Sequence, residues 1–267
     1  MIKNLIIFIL LLPVLSQGAM ATLGQETDDG TINKGFRIPE STIEKDFTLM
    51  SLDLEEVYLS RYILKKNFKV SKIEAHEIAQ QVIKISACFK VDPWILAALI
   101  QKESSFKKDA VSATNAAGLT QFTSSGFKEV NDQLGLRGSA GANEQTTLYF
   151  SSAIRRCVNE SWVDLWNRLS VPETDLLFYS SAKELVKKDL ELAITYGAIL
   201  LKTYVAAIDV KMQRLETPIS LSETYYQALQ VYNGEPGDAK VKYAKNIFLN
   251  LENMYPRKVK FSFSNAP

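Results

Sequence analysis

The segment DPWILAALIQKES, residues 92–104, constrains the fold more than any other part of the chain. Asp92 followed by Pro93 is a strong start signal for a helix, because an aspartate side chain caps the first backbone N–H groups and proline suits the first helical position. On a helical wheel of about 100° per residue, the isoleucines and leucines that follow share one face. The segment therefore predicts a helix with an apolar face that begins at Pro93.

Helical periodicity recurs through the rest of the chain. Further helices are predicted from Leu52 to Phe68, from Ser71 toward Phe89, from Asp189 to Ile208, from Ser222 to Tyr232 and from Ala239 to Met254. Ser71 and Glu74 form a capping-box pattern, and Pro256 ends the last helix. Because runs of alternating β-branched residues are absent, the chain is predicted to be mainly α, with room for a small hairpin only in the Gly- and Ser-rich region 109–126.

The N-terminus has the pattern of a signal peptide, residues 1–21. Lys3 precedes a short apolar run, and Ala19-Met20-Ala21 is a small-x-small cleavage pattern. The run is too short to cross a bilayer of about 30 Å as a stable helix, although an uncleaved anchor is the alternative. We expect an exported protein, periplasmic or secreted, with no stable membrane anchor after cleavage. Residues 22–50 are predicted to be a polar arm or linker, with room for a short helix at its end, and residues 51–267 the folded domain.

The charge balance of the chain does not favour a nucleic-acid partner. The chain has 31 Lys and Arg against 30 Asp and Glu, and removing residues 1–21 removes Lys3 alone, so the mature chain has a net charge of zero. Nucleic-acid-binding proteins usually carry a basic surface. No nucleic-acid partner is therefore predicted.

The two cysteines, Cys88 and Cys157, are informative in an exported chain, where a disulfide persists. They can form one bridge that closes a long loop. Two separate buried thiols are the alternative.

Glu103 is the candidate catalytic residue. On the helical wheel it falls between Leu99 and Ile100, near the middle of the apolar face. Burial disfavours the charged form of a carboxyl group and raises its pKa, and a carboxylic acid that stays protonated near neutral pH can donate a proton to a glycosidic oxygen. The alternative is a glutamate near a helix end that reaches solvent or pairs with Lys102 or Lys107.

Five short motifs support the catalytic interpretation: ES at 103–104, AVS at 110–112, GLTQ at 118–121, VYNG at 231–234 and YAKNI at 243–247. In this order they resemble the transglycosylase SLT family, the lysozyme-like lytic transglycosylases of bacterial cell walls. The resemblance covers roughly residues 86–126 and 187–255.

The resemblance implies a lysozyme-like α domain with a deep groove, extended by N-terminal helices and a helical insertion at residues 127–186. It also implies the roles of six residues and the substrate, the glycan strands of peptidoglycan. Glu103 would be the acid that cleaves the bond between MurNAc and GlcNAc. Ser112 and Gln121 would position the sugar, Tyr243 would lie close to Glu103, and Tyr232 and Asn233 would form the groove floor or support the fold. The MurNAc 6-hydroxyl would then close a 1,6-anhydro ring.

The chain departs from the family pattern in three places. Thr120 stands where the family usually has Met, and Ala193 stands where the family has Asn in an Asn-Ile-x-x-Gly pattern that ends here at Gly197. The segment 127–186 is longer than usual. It carries Trp162 and Trp166, whose rings either pack in the core or stack on sugars.

Other reactions are less compatible with this chain. His76 is the only histidine, which excludes a metal site built on several histidines and disfavours a Ser-His-Asp hydrolase. No Gly-rich phosphate loop is present. We therefore predict no metal and no cofactor, and expect a monomer.

Two rivals remain open. A hydrolytic lysozyme on the same scaffold would require a second carboxylate, for which Asp109, Glu129 and Asp132 are the nearby candidates. A non-catalytic wall-binding module would not require Glu103.

Overall fold

The computed structural model describes residues 37–135, 144–158, 175–234 and 237–263. Within these residues the chain forms ten α-helices and no β-strand, which confirms the predicted mainly α class. The helices are α1 (Glu40–Ile43), α2 (Glu56–Lys66), α3 (Lys72–Phe89), α4 (Pro93–Ser104), α5 (Ser124–Gln133), α6 (Glu144–Cys157), α7 (Asp175–Val186), α8 (Leu190–Arg214), α9 (Leu221–Asn233) and α10 (Asp238–Met254). The predicted signal peptide, Trp162 and Trp166 lie outside the described residues.

Helix α8 is the centre of the fold. It packs against α1, α3, α5, α7 and α9. By length and composition α8 could span a membrane, yet 89% of its most apolar stretch is buried inside the protein. Its apolar surface is therefore covered by neighbouring helices.

Helix α4 begins where the sequence predicts. Asp92 is fully buried, and its Oδ1 accepts hydrogen bonds from the backbone N–H groups of Trp94 and Ile95 at 2.9 and 3.0 Å. Its Oδ2 accepts from the N–H groups of Leu49 and Met50, each at 2.8 Å. One carboxylate thus caps α4 and also holds the preceding N-terminal segment.

That N-terminal segment is not a free arm. Ile38, Ile43 and Phe47 are at most 2% exposed, and Phe47 forms a parallel bridge with Val91. The ammonium group of Lys202, on α8, donates to the carbonyl oxygen of residue 45 at 2.5 Å. Residues 37–50 therefore pack as part of the domain, because their apolar side chains fill its core, and packing begins before the boundary predicted at residue 51.

The predicted pairing of the cysteines is present. Cys88, on α3, forms a disulfide with Cys157, at the end of α6, and their Cα atoms are 6.1 Å apart. The bond ties α6 to the helix that precedes α4.

The region 109–126 differs from the predicted hairpin. It contains only single bridges, between Val111 and Ala117 and between Ala117 and Phe122. Asn115, Gly118 and Gln121 have positive φ angles of 69°, 79° and 50°. This tightly turned backbone forms a compact loop, since successive reversals leave no length for strands.

Candidate active site

Glu103, on helix α4, lies at the surface of a groove. Residues 94–100 of this helix are at most 1% exposed, whereas Glu103, near its C-terminal end, is only partly buried. The helix ends because Ser105 and Phe106 adopt positive φ angles of 52° and 64°. Asn67 stabilises this turn by donating from its side-chain amide to the carbonyl oxygen of Ser105 at 2.9 Å.

The packing of α4 against α10 places a tyrosine beside the carboxyl group. Tyr243, on α10, is 7% exposed, and its hydroxyl donates a hydrogen bond to Glu103 Oε1. Burial raises the pKa of Glu103 to about 7, although the hydrogen bond from Tyr243 and the charge of Lys102 both act to lower it. A substantial fraction of Glu103 is therefore protonated at neutral pH.

The neighbouring phenols remain protonated. Burial, together with the charge of Glu103, holds the pKa of Tyr232 and of Tyr243 well above its usual range. Both tyrosines are therefore hydrogen-bond donors at any pH at which Glu103 titrates. The hydroxyl of Tyr232 donates to the carbonyl oxygen of Thr120 at 3.2 Å.

The groove brings together five of the six predicted site residues. It has a volume of about 350 Å³, within the range of small-molecule sites, and its lining includes Glu103, Ser112, Gln121, Tyr232 and Asn233. Tyr243, the sixth, contacts Glu103 but is not part of the lining.

Comparison with known families gives one match, which covers part of the chain. Residues 80–149, which include α4 and the loop with Ser112 and Gln121, match the family model of the transglycosylase SLT domain. Residues 80–149 therefore belong to a transglycosylase SLT domain. Members of this family are peptidoglycan lytic transglycosylases, which are lyases that cleave glycosidic bonds. No curated protein and no solved structure matches the chain significantly.

The match confirms the predicted family and lysozyme-like fold class. It extends to residue 149 and so includes the first part of the segment 127–186 that the sequence analysis assigned to an insertion. Tyr232, Asn233 and Tyr243 lie beyond the matched residues.

In the SLT domain the loop that carries Ser112 is closed by Gln121. The amide nitrogen of Gln121 donates to the carbonyl oxygens of Ala110 and Gly118 at 3.1 and 2.9 Å. The hydroxyl of Ser112 accepts from the backbone N–H of Ala116 at 3.0 Å. Both side chains therefore shape the groove wall in addition to lining it.

Two departures from the family pattern meet in space. The hydroxyl of Thr120, which is 1% exposed, donates to the carbonyl oxygen of Ala193 at 3.1 Å. A Cβ atom added to Gly197 would lie 2.6 Å from Thr120 Cγ2. Thr120 thus hydrogen-bonds to the backbone of α8 at Ala193, the position at which the family pattern has Asn. The methyl group of Thr120 packs against Gly197.

The groove contains a second carboxylate that the sequence did not distinguish from its neighbours. Glu129, on α5, lines the groove and is 6% exposed, and its Oε2 accepts a hydrogen bond from the hydroxyl of Tyr204 at 2.7 Å. Asp109 and Asp132 do not line it. The sequence does contain a signal for Glu129, because this residue lies between the apolar Phe127 and Val130, which are buried. A carboxyl group among apolar helix positions is the same pattern that predicts a buried Glu103.

Tyr204 was missed altogether. It lies on α8 and lines the groove, with its ring edge-on to that of Tyr232 at a centroid distance of 6.3 Å. In the sequence it is one apolar position among many in a long buried helix, so no local pattern separates it from core residues.

The described residues contain no group of three or more His, Cys, Asp or Glu side chains that could hold a metal ion. His76 is largely exposed and its Nδ1 lies 2.9 Å from Glu56 Oε1. Neither residue lines the groove.

Proposed function

We propose that this protein is a peptidoglycan lytic transglycosylase that cleaves the β-1,4 bond between MurNAc and GlcNAc and leaves a 1,6-anhydroMurNAc end. The observation that carries the proposal is the carboxyl group of Glu103, which lies in the groove with a pKa of about 7 and receives a hydrogen bond from Tyr243. Such a group can donate a proton and then accept one at the same pH.

The proposed reaction uses Glu103 first as a proton donor and then as a proton acceptor. The protonated Glu103 gives its proton to the bridging oxygen as the bond from that oxygen to the MurNAc anomeric carbon breaks. The acetamido oxygen of the same MurNAc supports the positive charge that develops at that carbon. The Glu103 carboxylate then takes the proton from the MurNAc 6-hydroxyl, and the oxygen of that hydroxyl bonds to the MurNAc anomeric carbon. No water is consumed, and ring closure is intramolecular, which favours it strongly.

The remaining groove residues are proposed to position the sugar. Ser112, Gln121 and Tyr232 line the same groove as Glu103. Asn233 has a buried side-chain oxygen to which no donor within the described part of the chain hydrogen-bonds. Because buried polar atoms normally have partners, we assign this oxygen to an N–H or O–H group of the substrate.

Glu129 supports a second candidate function, the hydrolytic lysozyme. Hydrolysis with inversion requires a carboxylate that activates water on the opposite face of the sugar, and Glu129 is a second carboxylate in the same groove. We rank this below the transglycosylase, because Glu129 Oε2 already accepts the hydroxyl of Tyr204.

Mass spectrometry of digested peptidoglycan separates the two functions. The transglycosylase leaves anhydro ends that are lighter by one water than the reducing ends left by hydrolysis. We expect anhydro ends, and the same products at a reduced or unchanged rate from Glu129→Gln protein. If the parent protein leaves only reducing ends and the Glu129→Gln protein no longer forms them, the protein is a hydrolase and the transglycosylase proposal is wrong.

We also propose that the protein acts outside the cytoplasm as a monomer. Its substrate is cell-wall peptidoglycan, and the disulfide between Cys88 and Cys157 suits an oxidising compartment. Intact mass of the exported protein should correspond to a chain that begins at residue 22, and light scattering should give the mass of one chain.

A further inference from the structure

The turn between α2 and α3 presents an unusual apolar surface. Phe68 and Ile73 are 87% and 73% exposed, which makes them the two most exposed large apolar side chains among the described residues. Both lie at the tip of the hairpin that α2 and α3 form, α2 ending at Lys66 and α3 beginning at Lys72. We call residues 65–73 the hairpin tip.

The same tip concentrates positive charge. Residues 57–73 contain five basic side chains and no acidic one, although the whole chain has a formal net charge of only +1. Lys65, Lys69 and Lys72 are exposed, and within the described residues none of the three forms a salt bridge. The N-terminus of α3, with its partial positive charge, opens at the same place.

The tip is held in place by the rest of the domain. Val70 is 5% exposed, and the hydroxyl of Ser71 caps α3 by accepting from the N–H of Glu74 at 3.1 Å. Asn67 is 6% exposed and bonds the turn that follows Glu103. The exposure of Phe68 is therefore a property of a packed turn whose neighbouring residues face inward.

We propose that the hairpin tip binds the surface of an anionic phospholipid membrane. Phe68 and Ile73 would enter the boundary between head groups and acyl chains, while the lysines pair with lipid phosphates. Charge alone would suit any acidic polymer, but the pair of exposed apolar side chains within the basic cluster specifies a surface with an apolar layer beneath its charges. The contact is reversible, since it involves one turn and no spanning segment.

The location of the tip has a functional consequence. Asn67 joins it directly to the turn after Glu103, so the end of α4 that carries the acid would lie near the membrane. The tip precedes residue 80, where the match to the SLT domain begins. It is therefore separate from the matched part of the domain.

Vesicle co-sedimentation tests the proposal with the mature full-length protein. Vesicles of phosphatidylcholine with one quarter phosphatidylglycerol are compared with pure phosphatidylcholine, at low and at moderate salt. We expect binding to the anionic vesicles at least tenfold tighter, and weakened by salt. The double variant Phe68→Ser, Ile73→Ser and the triple variant Lys65→Gln, Lys69→Gln, Lys72→Gln should each lose at least tenfold, the triple variant losing its salt dependence as well.

Matched controls carry the same chemical changes elsewhere on the surface. Leu148→Ser with Leu215→Ser removes two side chains that are 63% and 51% exposed, and Lys188→Gln, Arg257→Gln, Lys258→Gln removes three exposed charges. These variants should bind vesicles like the parent. All variants should cleave soluble glycan fragments at the parent rate, so loss of membrane binding is separated from failure of the proposed activity.

Three outcomes would overturn the membrane proposal. Tip variants could bind anionic vesicles as well as the parent and the controls do. They could lose binding to purified sacculi while vesicle binding is unchanged, which would assign the tip to peptidoglycan. Gel filtration could show a parent dimer that the tip variants abolish, which would assign the tip to a second copy of the chain.

Discussion

At the scale of single residues, the chemistry depends on the carboxyl group of Glu103 and its surroundings. Glu103→Gln keeps the size of the side chain and suits a buried position but cannot transfer a proton. We expect cell-wall cleavage to fall by about 10²–10⁴-fold or more, with the melting temperature maintained. Turbidity clearing of purified walls measures the rate, and the exposed Glu77→Gln is the control. A rate above a tenth of the parent's would contradict the assignment.

Tyr243 affects the pKa of Glu103. Its hydrogen bond favours the charged form of Glu103 and so lowers the pKa of that carboxyl. Activity that requires a protonated Glu103 should decline as pH rises through about 7. Tyr243→Phe removes the hydrogen bond, and the pKa of Glu103 should rise, which moves this decline to higher pH.

The pH profile of kcat/KM measures the shift caused by Tyr243→Phe. Tyr226→Phe is the control, because Tyr226 stacks on Phe263 and does not line the groove. A decline at unchanged or lower pH in the Tyr243→Phe protein would show that the phenol does not control the titration of Glu103.

At the scale of helices, Asp92 determines where α4 starts and what lies against it. Its two oxygens accept four backbone N–H groups, two from α4 and two from residues 49–50. Asp92→Asn would turn an amide N–H toward one pair of donors and leave them unpaired. We expect a loss of about 2–4 kcal/mol in the free energy of unfolding, measured by urea titration.

The capping position of α3 provides the comparison for Asp92. Ser71 is exposed and accepts one N–H group, so Ser71→Ala should cost only about 1 kcal/mol. Equal losses for Asp92→Asn and Ser71→Ala would mean that the bonds to residues 49–50 contribute nothing.

The disulfide links two helices that are distant in sequence. Cys88 and Cys157 are 69 residues apart, and closing a loop of that size stabilises a fold by about 2–4 kcal/mol. Cys88→Ser with Cys157→Ser should lower the unfolding free energy by this amount while retaining activity. Intact mass after alkylation without reductant verifies the bond in the parent, and two alkylated thiols in natively exported protein would contradict it.

At the scale of the whole molecule, the N-terminal segment is part of the folded unit. Ile38, Ile43, Phe47 and Met50 are at most 9% exposed, and each buried side chain of this kind contributes about 1.5–3 kcal/mol. Their sum is comparable to the total stability of a domain, about 5–15 kcal/mol. A chain that begins at residue 51 should therefore be insoluble or largely unfolded, whereas one that begins at residue 22 should fold. Circular dichroism and thermal melting compare the two, and equal stability would mean that the segment only lies on the surface.

Local sequence located α2, α3, α4, α8, α9 and α10, because capping and apolar periodicity are encoded within a few residues, but it did not locate α5, α6 and α7 individually. Asp92-Pro93 predicted the first residue of α4 correctly, and Ser71 with Glu74 predicted the start of α3. Helix ends were less well predicted. Helix α8 continues to Arg214, beyond the predicted Ile208, because the residues at its end favour a helix and the basic side chains of Lys211 and Arg214 suit a helix C-terminus.

The sequence alone determined the family, the candidate acid and the start of its helix, since each depends on residues close together in the chain. Only the tertiary structure decided which distant side chains meet: Tyr204 with Glu129, Thr120 with the carbonyl oxygen of Ala193, and the second oxygen of Asp92 with residues 49–50. These contacts depend on how helices pack across tens of residues of sequence. The periodicity of one helix specifies which face is buried, but not which side chain of another helix covers it.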